Sequence, residues 1–120
     1  MPDPNHRRNS FVYALEGLYH VYRTQPNFRL ELFLGILALG VSLWLRTNLT
    51  PILICTLLVL ALEMLNTALE AACDAVTLEQ NLSVKIAKDA AAGAVLLAAY
   101  FSVLVAIVEI LPTLAARLLR

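Results

Sequence analysis

Glu63, Asn66, Glu70 and Asp74 stand at i, i+3, i+7 and i+11 in the stretch Glu63-Met-Leu-Asn-Thr-Ala-Leu-Glu70-Ala-Ala-Cys-Asp74, within a largely apolar run. On a helix this spacing forms one stripe down one face. Carboxylates at bilayer depth are expensive unless water, a metal, a substrate or another helix solvates them. Three on one face therefore imply a function. Phosphoryl transfer to an alcohol needs such groups: oxygen ligands for Mg²⁺, cations for phosphate and a base for the hydroxyl. Lys88 and Asp89, at the start of the next apolar segment, add a cation and a further carboxylate.

The residues alone leave other readings open. Intramembrane acids also relay protons or ions, so a small proton- or ion-conducting protein is the alternative. Asn66 and Thr67 would suit a polar zipper between helices, but adjacent carboxylates repel unless protonated. A di-metal carboxylate bundle needs Glu-x-x-His motifs; this chain has Glu63-x-x-Asn66, with histidines only at 6 and 20. Lys88-Asp89 by itself also reads as a solvated helix start, and Tyr13 as an interface anchor. There is no Walker A or Gly-x-Gly-x-x-Gly loop.

The elements that must position the stripe are membrane helices. Apolar residues make up 60% of the 120 residues and charged ones 15%, with a mean hydropathy of +0.74. A soluble domain is nearer ~45–50% and ~25%. The expected fold is all-α: an N-terminal amphipathic surface helix over 10–24, then spans over about 28–46, 51–74 and 90–111. A polar tail over 1–9 and a C-terminal tail over 113–120 flank the 10–112 unit. Ser10 is the expected cap of the surface helix, on which Phe11, Leu15, Leu18 and Tyr22 recur at helical spacing. Gln25-Pro26-Asn27 breaks it. Arg29 is expected to snorkel, and Thr50-Pro51 to start the second span. A polar loop is expected over 75–89, and Pro112 at the end of the third span. Cys55 and Cys73 lie 18 residues apart in one helix and cannot bridge each other there.

Formal net charge is zero, which gives no reason to expect a nucleic-acid partner. The opening residues lack the pattern of a cleavable secretory signal. Arg7, Arg8, Arg23, Arg29, Lys85 and Lys88 fall on one side of the expected spans, and Arg46, Arg117 and Arg120 on the other. The positive-inside rule then places the N-terminus and the Glu70–Asp74 end of the stripe in the cytoplasm.

Glu63-x-x-Asn66-Thr-Ala-x-Glu70-x-x-x-Asp74 followed by Lys88-Asp89-x-Ala-Ala-Gly93-Ala94-Val-Leu-Leu-Ala resembles the prokaryotic diacylglycerol kinase family. These are small integral membrane lipid kinases, and the match spans roughly 10–112. The Lys-Asp-x-Ala-Ala-Gly form is closer to the undecaprenol kinase branch. The resemblance implies a homotrimer of the bacterial inner membrane with active sites shared between protomers near the cytoplasmic interface. It implies MgATP as phosphate donor and a membrane lipid, diacylglycerol or undecaprenol, as acceptor. Glu63 matches the general base and Glu70 a Mg²⁺ ligand. Asn66 orients Glu63 or the acceptor. Lys88, Asp89, Tyr13, Glu79, Gln80 and Asn81 match nucleotide-contacting positions, with Asp74 in support. One departure stands out: where the family has a second metal-binding Glu, this chain has Gln25, which offers a carbonyl oxygen without charge. Glu31 and Asp74 are the acids placed to compensate. Glu79-Gln80-Asn81 also replaces a Glu-Tyr-His more typical of relatives.

Overall fold

Four helices follow one another: α1 His6–Thr24, α2 Pro26–Leu45, α3 Leu49–Val76 and α4 Leu82–Leu118. The computed structural model describes residues 6–77 and 79–120. Residues 1–5 of the expected polar tail lie outside the described residues. α2, α3 and α4 are each long and apolar enough to cross a membrane, and the described residues are otherwise turns and caps, so the all-α expectation holds.

The joints explain the helix ends. α1 already includes His6, so Ser10 lies within it rather than capping it. Only Gln25 separates α1 from α2, with φ −110° and ψ 103°. A residue before proline is pushed out of the α region, and Pro26 itself suits a helix start. Arg29 is exposed and reaches back to the end of α1. Its Nη1 donates to the carbonyls of Tyr22 at 2.8 Å and Arg23 at 2.9 Å, satisfying acceptors that the end of α1 leaves open. Val21 and Phe28 are buried on either side of this corner.

α2 ends in a Schellman motif. The Arg46 N–H donates to Leu43 O at 3.2 Å and the Thr47 N–H to Ser42 O at 3.0 Å, with Arg46 left-handed at φ 59°. That position usually takes glycine. The buried Ser42 hydroxyl also bonds the Thr47 hydroxyl at 2.5 Å. The start of α3 differs from the expectation at Thr50. Asn48 is the cap, its Oδ1 accepting from Thr50 N at 3.1 Å. Pro51 falls in the first turn, where a missing N–H costs no intrahelical bond.

The turn between α3 and α4 is far shorter than the expected 75–89 loop. Asn81 caps α4, its Oδ1 accepting from Ser83 N at 2.9 Å and Val84 N at 3.3 Å. α4 then runs for 37 residues, about 55 Å. It does not stop at Pro112. Neighbouring helices make an internal proline tolerable in a membrane helix, and Arg117 lies 5.0 Å over the Trp44 ring, tying the last turns of α4 to the end of α2.

α3 packs between α2 and α4, while α1 rests on α2 and α3. α2 meets α3 tightly at Gly35, where any Cβ would overlap the Thr56 side chain. The body is only 23 Å across its thinnest dimension, about two helix diameters. Few side chains can therefore be enclosed: Val59 and Ser42 are fully buried, whereas Phe33, Leu57, Leu96 and Phe101 are exposed. In a bilayer such apolar faces meet lipid or other helices.

Candidate active site

The stripe folds as its spacing requires, all of it on α3. Glu63 is the deepest member and is only 5% exposed. Its backbone carbonyl accepts the Thr67 hydroxyl at 2.9 Å, so that hydroxyl is unavailable to the carboxylate. Among the described residues nothing donates to the Glu63 carboxylate. One turn on, the Asn66 Nδ2 donates to Glu70 Oε1 across a long 3.4 Å. The Asn66 Oδ1 is enclosed and has no partner among the described residues. Two enclosed acceptors without donors, the carboxylate and the amide oxygen, are complementary to a hydroxyl or a cation.

α2 contributes a member that spacing within α3 does not reveal. Glu31 is half-buried on α2. Glu31 also borders a cavity of about 100 Å³ among α2, α3 and α4. This is one of the two acids placed to compensate for Gln25. Gln25 itself sits half-buried at the α1–α2 corner.

At the other end of the stripe, the α3–α4 turn closes a recess of about 600 Å³. It is lined by Asp74, Glu79, Gln80, Asn81, Lys88 and Asp89, six of the residues singled out from sequence. Its volume is within the range of small-molecule sites. The Lys88 Nζ bonds Asp74 Oδ1 at 2.6 Å across the turn. Lys85 also lines the recess, and its Nζ pairs with Asp89 Oδ2 at 2.5 Å. Sequence reading passed over Lys85 as a loop cation. The available signal was its place three residues before Lys88 and four before Asp89, on the same helical face. Asn81 spends its Oδ1 on capping, which leaves its Nδ2 for other partners.

The structure does not unite every expected site residue. Glu63, Glu70, Tyr13 and Gln25 do not line the recess. Tyr13 is exposed on α1. Glu63 and Asp74, 11 positions apart on α3, are separated by about 16 Å along its axis. Among the described residues no three His, Cys, Asp or Glu side chains converge to hold a metal. The oxygen donors Glu70 and Asn66 nevertheless suit Mg²⁺, which takes one or two carboxylates and completes its shell with water and phosphate.

Residues 12–110 match the family model described as prokaryotic diacylglycerol kinase. The chain is 42% identical over 110 residues to a diacylglycerol kinase of Synechocystis sp., covering 88% of this chain and 62% of that relative. It is 34% identical over 108 residues to an undecaprenol kinase of Bacillus subtilis, covering 88% of each. With a diacylglycerol kinase of Haemophilus influenzae it shares 34% over 96 residues, covering 78% of this chain and 81% of the relative.

Proposed function

This chain belongs to the prokaryotic diacylglycerol kinase family, and from that premise we propose that it transfers the terminal phosphate of ATP to the hydroxyl of a membrane lipid. The observation that carries the reading is the enclosed Glu63 carboxylate, without a donor, on the same helix that ends at a lysine-bearing recess.

Glu63 takes the proton of the lipid hydroxyl as its oxygen attacks the γ-phosphorus. The bond from that phosphorus to the β,γ-bridging oxygen breaks, and ADP leaves with the bond electrons. The Glu63 carboxylate aligns the hydroxyl, with the enclosed Asn66 amide one turn away on α3. Glu70, with Asn66, would hold Mg²⁺, which would supply positive charge to the phosphates. Lys88 engages the phosphates, and Asp74 holds it in place meanwhile. Glu79, Gln80 and the free amide of Asn81 face the nucleoside, Asp89 lies beside the phosphates, and Tyr13 and Gln25 approach from α1 and its end.

The same reading includes assembly as a homotrimer. The apolar faces of a thin three-span body leave room for neighbours, and a neighbour's recess meeting the Glu63 stripe would close the axial gap between the two clusters. The cytoplasmic placement of the recess follows from the six cations on its side of the membrane against three on the other. The test offers purified protein radiolabelled MgATP with diacylglycerol and undecaprenol in parallel. Phosphate appearing on one of the two lipids is expected. Label on neither, with proton flux through protein-containing liposomes instead, would replace the kinase reading with the relay.

A further inference from the structure

Resting on the kinase reading, we infer that Lys85 is a second phosphate-binding cation of the nucleotide recess, and that Asp89 serves chiefly to hold Lys85 across it. Lys85, Lys88 and Asp89 occupy i, i+3 and i+4 on the opening turns of α4 and all line the same recess. An aspartate beside a triphosphate is electrostatically unfavourable. Its pairing with Lys85 at 2.5 Å removes that difficulty. The same arrangement recurs across the turn, where Asp74 holds Lys88 at 2.6 Å. The recess therefore presents two lysine–aspartate pairs on one wall.

Both pairs are exchangeable. The Lys85 and Asp89 side chains are 72% and 63% exposed, and exposed pairs contribute little to stability. Lys85 also stands near the N-terminal end of α4, where the helix dipole disfavours a cation, and the first turn holds no acid to offset it. An anion entering the recess relieves that mismatch. Asn81 already occupies the Ser83 and Val84 amides, so side-chain ammonium groups supply the positive charge. One lysine cannot match a triphosphate; two can clamp it, each ammonium keeping one N–H on its aspartate and turning the others to phosphate oxygens.

The experiment compares wild type, Lys85→Met, Lys85→Arg and Lys88→Met. Two quantities are read: steady-state kinetics in MgATP and lipid, and displacement of a fluorescent ATP analogue by ATP or by AMP without lipid. Lys85→Met should raise KM for MgATP about tenfold, about 1.4 kcal/mol, with kcat and the lipid KM nearly unchanged. ATP affinity should fall likewise while AMP affinity holds, because only the distal phosphates lose a partner. Lys85→Arg should restore most of both. If Lys88→Met weakens ATP and Lys85→Met does not, or if ATP and AMP weaken equally, the inference is overturned and the kinase reading stands. Wild type that neither labels lipid nor binds ATP overturns both.

Discussion

Replacing Glu63 by glutamine removes one charge and keeps the side chain's shape, so it separates chemistry from packing. The carboxylate is 5% exposed and takes no hydrogen bond among the described residues. A buried charge without a partner is a cost to the fold, so the amide should leave thermal stability equal or slightly higher. Catalysis should move the other way. A positioned general base contributes roughly 10²–10⁴-fold, or about 2.7–5.4 kcal/mol of barrier at 1.36 kcal/mol per decade. Only an interaction made in the transition state is lost, so kcat should fall by that factor with the KM values for MgATP and lipid little changed. The assay follows labelled lipid at saturating substrates, with thermal unfolding of the same detergent-solubilised preparation. Turnover within a few-fold of wild type would refute Glu63 as the base. A fall of several degrees in Tm would show instead that the carboxylate is a structural partner.

The remaining predictions test the metal, the assembly and the helix contacts. Gln25→Glu should lower the Mg²⁺ concentration for half-maximal activity, since an added anionic oxygen favours a hard cation; no shift would turn attention to Glu31, which borders the interhelical cavity. Mixing Glu63→Gln with Asp89→Asn subunits should recover part of the activity through interfaces with two intact halves, whereas no recovery in proven mixed oligomers would place each site within one chain. Gly35→Ala should lower stability by about 1–3 kcal/mol, because the new Cβ overlaps Thr56, whose hydroxyl is tied to Ile52 O at 2.8 Å; adding Thr56→Ala should return part of it in thermal unfolding. Arg46→Gly should raise stability by about 1 kcal/mol, since φ 59° strains any residue with a Cβ.

Short-range pattern was enough to read the helices and the stripe. Apolar runs marked the segments that became α2, α3 and α4. Pro26 marked the corner because its ring disfavours the α conformation at Gln25. The stripe could be read because a helical face depends only on spacing. The long motif around Glu63 and Lys88 carried the family resemblance without any structure. What sequence could not supply were contacts closed by chain reversal and choices between rival local signals. Asn48 and Thr50 are both good caps, and the geometry of the Arg46 turn selected Asn48. Pro112 is a breaker by type, yet α4 continues through it, and Arg117 beyond it lies over Trp44 at the end of α2. Arg29 meets two carbonyls because the α1–α2 corner sets them within its reach. Glu31 borders the cavity among α2, α3 and α4 only because those helices pack together, and Lys88 meets Asp74, 14 positions away, only because a short turn folds α4 back on α3. Local conformation follows from neighbours along the chain; the site follows from which faces those helices bury against each other.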